Sequence, residues 1–162
     1  MNELVYKPIG IIRSPFTEPK GTPIQPSGAI DIEGKIEVFP EYKEGLKDIE
    51  GFSHIILLYH FHLVKKSTLL AKPFMDDKKH GIFAIRGPSR PNPIGLSIVR
   101  LEKVEENTLY IKDVDIIDGT PLLDIKPYVP KFDIKEVKKI GWLEKNVHKV
   151  TSMKDDGRFV NE

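Results

Sequence analysis

The chain of 162 residues contains no cysteine, which excludes disulfide bonds, thiolate nucleophiles and zinc–thiolate sites. It has no long hydrophobic run either: "IILLY", residues 55–59, is far too short to cross a bilayer. The opening "MNELVYKPIG" lacks the apolar core of a signal peptide. Net charge is also nearly absent, with 25 basic against 24 acidic residues. We therefore expect a cytoplasmic protein with no membrane span, in which any phosphate-binding surface is a local patch.

Short β-like segments dominate the chain. Seven or eight of them follow one another at roughly regular spacing with little helix, which favours a mainly β, single-domain barrel or sandwich. "AIDIEGKIEVF" predicts a hairpin that turns at Glu33-Gly34, and "FSHIILLYHFHLV" predicts a central strand buried on both faces. "IFAI" predicts another buried strand, and residues 96–117 predict two strands joined at "EEN". No G-x-G-x-x-G motif or strand–helix–strand alternation supports a Rossmann sheet.

Three segments depart from this pattern. Residues 13–28, "RSPFTEPKGTPIQPSG", carry four prolines and predict a long ordered loop or a mobile arm. "PEYKEGLKDIEG" predicts a short surface helix. Beyond Pro130 the chain becomes rich in lysine, with helical character from Trp142 to His148, and residues 151–162 are expected to fray. We expect one domain over residues 1–132 and a short extension over residues 133–162 that forms no separate domain.

The stretch "IRGPSRPNPIG", residues 85–95, predicts a stiff anion-binding loop. Pro91 and Pro93 fix their own φ angles and hold their neighbours in extended conformations. The amide of Asn92 is thereby preorganised for hydrogen bonding. Arg86 and Arg90 each offer a planar fork that suits a carboxylate or a phosphate.

Together with "DGTPLLDIKPY", residues 118–128, this stretch resembles the signature pair of the TsaA-like (TrmO) methyltransferase family. "IGIIRSPF", "QPSG" and "GFSHIILLYHFH" resemble three further segments of that family in the same order, so that the resemblance runs from about Val5 to Phe132. It implies a small β-barrel that binds S-adenosylmethionine at or near a homodimer interface. The implied activity is N6-methylation of threonylcarbamoyladenosine beside the anticodon of threonine tRNA.

The resemblance also implies a set of donor-binding residues drawn from separate segments: Gln25, Pro26, Ser27, His62, Leu63, Arg86, Leu96, Asp118, Gly119, Thr120 and Pro121. Asp118 and Asn92 are the expected catalytic residues. Leu96 would pack on the adenine ring, although a place in the core is equally consistent with its sequence position.

Acceptor-side residues are expected on one strand face, because Asp124, Lys126 and Tyr128 alternate. Arg90, Lys138 and Lys139 are further candidates for tRNA contact. The general base stays open among Asp118, Asp124 and His62. His60 and His62 share a predicted strand face, but no third ligand is evident, so no metal site is expected.

Two alternatives remain beside tRNA methylation. The chain could be a methyltransferase of the same fold that acts on another substrate. It could also be a barrel that binds S-adenosylmethionine or RNA without catalysis.

Overall fold

The computed structural model describes residues 2–160 and shows a closed antiparallel barrel. The described residues form eight strands: β1 (Gly10–Arg13), β2 (Glu33–Val38), β3 (His54–His60), β4 (Leu70–Ala71), β5 (His80–Gly81), β6 (Ile94–Glu105), β7 (Thr108–Lys112) and β8 (Thr120–Pro127). Six of them form the barrel in the order β1-β2-β7-β6-β3-β8, and β1 closes it by pairing with β8. Strands β4 and β5 pair with each other outside it. The expected mainly β barrel is confirmed.

The barrel core follows from alternation along each strand. Apolar side chains at every second position point inward, and the largest of them are fully buried: Ile12, Ile36, Ile55, Leu57, Val99, Leu109, Ile111 and Leu122. Each such side chain stabilises the fold by roughly 1.5–3 kcal/mol relative to an exposed one. The barrel interior is therefore packed with side chains.

The hairpin predicted at Glu33-Gly34 is wrong. Both residues lie inside β2, opposite Lys112 and Ile111 of β7, and Ile30 is 68% exposed. A side chain at Gly34 would come within 2.7 Å of the Arg13 carbonyl oxygen. Gly34 therefore permits close approach of the β1 backbone. The requirement comes from a distant strand, whereas the local sequence around this glycine is typical of a turn.

Two other strand predictions need correction. Strand β3 exists, but only its inward residues are buried, and Ile56 and Leu58 on the outer wall are half-buried. "IFAI" forms a single 3₁₀ turn, Ile82–Ala84, with Phe83 exposed. Its ends are buried in a second apolar cluster, outside the barrel, that comprises Ala71, Ile82, Ile85 and Phe159.

Other predicted elements are confirmed. Strands β6 and β7 are joined at Glu106-Asn107, as expected from "EEN". The predicted surface helix is present as 3₁₀ turns at Pro40–Leu46 and Ile49–Gly51. A one-turn α1 (Pro130–Asp133) leads into the extension, which contains 3₁₀ turns at Gly141–Lys145 and Val147–Thr151. Within residues 2–160, no helix combines the length and apolar character that a membrane crossing requires.

The tail predicted to fray is instead packed as far as residue 160; residues 161–162 lie outside the described part. Phe159 is buried, with its ring edge-on to that of Phe74 at 5.2 Å. The Gly21 amide donates to the Asp155 carbonyl at 2.6 Å, and the Asp155 amide donates to the Thr22 carbonyl at 2.8 Å. The loop over residues 13–28 is therefore an ordered one, since the tail holds it.

Candidate functional site

Three connections of the barrel, including the two longest, leave from one end, which we call the loop end. The register pairs Arg13 with Lys35 and His60 with Ile94, and Ile12 with Thr120. Three connections, residues 14–32, 61–93 and 113–119, therefore emerge together. The opposite end holds residues 39–53 and the tight β6–β7 turn. The predicted donor residues come from the three loop-end connections and from the starts of β6 and β8.

Arg86 and Gln25 meet across two of these connections. Arg86 Nη1 donates to Gln25 Oε1 at 3.2 Å although the residues are 61 positions apart. Arg86 is exposed, and across residues 2–160 its guanidinium has no other hydrogen-bond partner. Gln25 directly precedes the 3₁₀ turn Pro26–Gly28 in an extended conformation. Most of a planar cationic fork is thus open to an anionic ligand beside the Gln-Pro-Ser segment.

Arg90 closes the loop that carries Arg86. Its Nη1 donates to the carbonyl oxygens of Ile85 at 2.6 Å and Gly87 at 3.2 Å. Ser89 is buried, and its carbonyl accepts from the Thr68 amide at 3.0 Å. One guanidinium nitrogen of Arg90 therefore binds carbonyl oxygens of its own loop. Contact between this guanidinium and tRNA remains a prediction.

The Asp-Gly-Thr-Pro turn is fastened to the end of β1. The Ser14 amide donates to Asp118 Oδ1 at 3.1 Å, and Arg13 Nη1 lies 3.9 Å from Asp118 Oδ2. Gly119 has φ 82, a left-handed conformation that favours glycine. The Thr120 hydroxyl donates to the Ile117 carbonyl at 2.6 Å. These contacts hold the Asp118 carboxylate at the loop end in a defined position.

His62 and Leu63 lie next to the proline-rich loop, but not on a strand. Strand β3 ends at His60, and the Phe61 amide donates to the Pro93 carbonyl at 2.8 Å. The expectation that His60 and His62 share a strand face is therefore wrong. Partial burial, and then the charge of His60, lower the pKa of His62. Among residues 2–160, no cluster of three or more histidine and acidic side chains could hold a metal ion.

The outer wall beside the loop end brings two predicted residues together. Leu96 lies opposite Leu58, which also pairs with Asp124. Leu96 is 45% exposed, so it belongs to the outer wall and not to the core. Lys126 follows on the same face, with its Nζ 2.9 Å from Asp124 Oδ2.

The remaining predicted acceptor residues lie elsewhere. Tyr128 follows the end of β8 at the opposite end of the barrel, where its amide donates to the His54 carbonyl at 3.2 Å. Its ring lies 6.3 Å from that of His54. Lys138 and Lys139 are exposed in the irregular segment before Gly141. Asn92 is exposed at the tip between its two prolines.

A polar network inside the barrel was missed by sequence reasoning. The Tyr59 hydroxyl lies 2.8 Å from Ser97 Oγ, which donates to Asp115 Oδ1 at 2.7 Å. Burial raises the pKa of Asp115 to about 7 and also raises the pKa of Tyr59. The available signal was the polar Ser97 at an inward position of β6, between Gly95 and Val99. The network joins the connection 113–119 to β3 and β6.

Replacing Asp115 with asparagine is expected to stabilise the protein at pH 8 and to have little effect at pH 4. The folded-state pKa lies above the unfolded one, so unfolding releases a proton between about pH 4 and pH 7. Wild-type stability should therefore fall across that window, whereas the asparagine variant, which still accepts from Ser97, should not lose it. We expect a gain of roughly 1–3 kcal/mol at pH 8. Urea unfolding at both pH values measures it, and equal pH dependence in the two proteins would contradict it.

The fold defines a small closed β-barrel whose predicted donor residues lie at its loop end. The family model for the tRNA-methyltransferase O N-terminal domain matches residues 11–134. The chain belongs to this family.

Relatives named for a function are similar over most of this chain. A "Probable S-adenosyl-L-methionine-binding protein" of Pyrococcus abyssi is 66% identical over 156 residues, which cover 96% of this chain and 85% of that protein. A human "tRNA (adenine(37)-N6)-methyltransferase" is 40% identical over 139 residues, which cover 80% of this chain but 31% of that protein. The chain therefore spans about a third of the human relative.

A solved structure is similar in fold as well as in sequence. The crystal structure of TrmO from Pseudomonas aeruginosa has a TM-score of 0.74 and 39% sequence identity, covering 86% of this chain and 62% of that one.

Proposed function

We propose that the protein transfers the methyl group of S-adenosylmethionine to N6 of threonylcarbamoyladenosine beside the anticodon of threonine tRNA. The observation that carries the proposal is the contact between Arg86 and Gln25, which assembles two separate predicted donor segments at one end of the barrel. The relatives named for S-adenosylmethionine binding and for tRNA adenine-N6 methylation support it.

The loop-end residues fit such a donor. A methionyl carboxylate suits the open fork of Arg86, since Arg–carboxylate pairs form two parallel hydrogen bonds. The Gln25 side chain next to it can exchange its bond to Arg86 for one to the ligand. Asp118 is positioned by β1 to accept from ribose hydroxyls or an amino group. Leu96 offers an exposed apolar surface on which an adenine ring can pack.

The donor, when bound, supplies a sulfonium-activated methyl group, so the protein needs no nucleophile of its own. Its task is to align the acceptor nitrogen with the methyl carbon and to exclude water. We propose that Asn92, held between Pro91 and Pro93, orients the acceptor. The N6–H of the acceptor nucleoside is made more acidic by its acyl substituent, so a modest base can remove the proton. Asp118, Asp124 and His62 all remain candidates for that base.

We further propose that tRNA approaches the loop end. Exposed lysines of the connection 61–93 lie there, namely Lys65, Lys66, Lys78 and Lys79. Lys138 and Lys139 on the extension, and Arg90, Lys126 and Tyr128 on the barrel, are proposed as secondary contacts. Phosphate contacts of this kind make binding strongly salt-dependent.

We also propose that the protein is a homodimer and that it works in the cytoplasm. Ile94 and Leu96 are exposed on the outer wall beside half-buried Ile56, Leu58 and Ile98. Contiguous exposed apolar surface of this kind marks interaction sites. A second copy seated on this wall would bring its own residues close to Leu96 and Asp124.

The test is methyl transfer from labelled S-adenosylmethionine to purified threonine tRNA with and without the threonylcarbamoyl group. We expect label on the modified tRNA only. Donor binding in calorimetry without label on any tRNA would favour a non-catalytic barrel. Label on a different acceptor would favour a methyltransferase of the same fold with another substrate.

A further inference from the structure

Arg100 joins two of the loop-end connections to the barrel wall. Its Nε donates to Asp113 Oδ2 and its Nη2 to Asp113 Oδ1, both at 2.7 Å. The same Nη2 also donates to Asp31 Oδ1. The Asp31 amide in turn donates to Asp113 Oδ1 at 2.9 Å. One guanidinium on β6 therefore binds the last residues of connection 14–32 and the first residue of connection 113–119.

Both aspartates have a backbone conformation that needs support. Asp31 has φ 66 and Asp113 has φ 70, in the left-handed region that non-glycine residues seldom adopt. Such conformations persist where the surroundings hold them. The guanidinium of Arg100 keeps the pKa of Asp113 below its ordinary value. The carboxylate therefore stays ionised, and the two-pronged hydrogen bond stays in place, at neutral pH.

The two aspartates that Arg100 binds lie close in sequence to two residues proposed to bind the donor. Asp31 lies six residues after Gln25, and Asp113 lies five residues before Asp118. A further bond, from the Val114 amide to the Ile32 carbonyl at 3.3 Å, joins the same two connections. The Gln25 and Asp118 segments, both proposed to bind the donor, are thus anchored to the barrel wall by Arg100.

A purely structural salt bridge is the competing explanation. The Asp31 side chain is 70% exposed, and exposed ion pairs contribute little to stability. Asp113 is only 15% exposed and is bound at two points. Stability therefore accounts for the bond to Asp113 but gives little reason for the second bond, to Asp31. Loop geometry gives a better one, because small displacements of a binding segment cost far more in ligand alignment than in folding.

We propose that Arg100 is a positioning residue for the methyl-donor site, one that sets the separation of the Gln25 and Asp118 segments. The inference rests on the proposed function. Lysine cannot replace the fork, since it provides a point charge without the planar pair of donors.

The test compares Arg100→Gln and Arg100→Lys with the wild type. Lys103→Gln is the matched control, because Lys103 lies on the same strand and its Nζ is 2.9 Å from Glu105 in an exposed pair. Calorimetry gives the donor Kd, steady-state methyl transfer gives KM and kcat, and thermal unfolding gives Tm. We expect Arg100→Gln to raise donor Kd and KM roughly ten-fold, with kcat at saturating donor nearly unchanged. Tm should fall moderately below that of the control, because Asp113 loses its partner. Arg100→Lys should recover only part of the affinity.

Unchanged donor affinity in both variants would overturn the inference, as would a fall in Tm and kcat with KM unchanged. Hydrogen exchange of the free protein provides an independent measurement. Amides of residues 25–32 and 113–119 should exchange faster in Arg100→Gln than in Lys103→Gln, and equal exchange would also overturn it. Absence of donor binding by the wild type would instead refute the proposed function, while the exchange experiment would still decide whether Arg100 holds the two segments.

Discussion

Replacing Arg86 with alanine is expected to weaken S-adenosylmethionine binding by about 100-fold, since hydrogen bonds to a charged group contribute about 1.5–3 kcal/mol each. The barrel should remain folded, because the side chain is exposed and its only hydrogen bond among residues 2–160 is the 3.2 Å contact with Gln25. Arg86→Lys should keep the long-range attraction for the carboxylate but lose the planar fork. We therefore expect an intermediate affinity for the lysine variant.

Calorimetry with the purified variants measures the effect, and far-UV circular dichroism checks the fold. Lys72→Ala is the matched control, since it removes one exposed positive charge from the same connection, 61–93. It should bind the donor as the wild type does. A normal donor affinity in Arg86→Ala would remove Arg86 from the site, and a similar loss in Lys72→Ala would indicate a general electrostatic effect.

Replacing Gly95 with alanine is expected to destabilise the protein by about 3 kcal/mol through overpacking. Gly95 lies opposite Tyr59 in the β3–β6 ladder. A Cβ there would come within 2.3 Å of Tyr59 Cε2 and 2.8 Å of Phe61 Cζ. Both rings are packed edge to face, with centroids 5.5 Å apart. Their displacement would also disturb the 2.8 Å contact between Tyr59 and Ser97.

Urea unfolding measures this loss, with Gly81→Ala as the control. Gly81 also lies in a strand, has no positive φ, and has no atom within 4 Å of the Cβ position. Its replacement should change the free energy of unfolding by less than about 0.5 kcal/mol. If the two variants proved equally stable, the ring contacts at Gly95 would not be the reason for the glycine in this motif.

Several features of the fold could be predicted because their signals are local. The strand-like residues 96–117, interrupted by the polar "EEN", predicted two strands, and these are β6 and β7. The false hairpin at Glu33-Gly34 shows the limit of local signals. An acidic residue before glycine is typical of a turn, yet Gly34 is needed because the Arg13 backbone approaches it from a distant strand. In the same way "IFAI" has strand-like residues, but a cluster completed by Phe159 folds it into a 3₁₀ turn.

The candidate site could be predicted in part for a similar reason. The resemblance named the segments that carry Gln25, Arg86 and Asp118, and the barrel topology places those segments at one end. The partners of these residues were not predictable: the Gln25 amide for Arg86, the Ser14 amide for Asp118, and backbone carbonyls for Arg90. Each depends on the path of a loop, which carries little pattern of its own.

By itself, the sequence determined the class of this protein: a mainly β chain without cysteine, with stiff proline-rich and glycine-containing loops bearing arginine and aspartate. These properties are set residue by residue, through fixed φ angles, alternation and charge. Only the tertiary structure decided which residues share a site, that Leu96 faces outward, that the tail packs, and that Arg100 binds Asp31 and Asp113. Those outcomes depend on which distant strands pair and in which register, because antiparallel closure of the barrel brings together residues that are far apart along the chain.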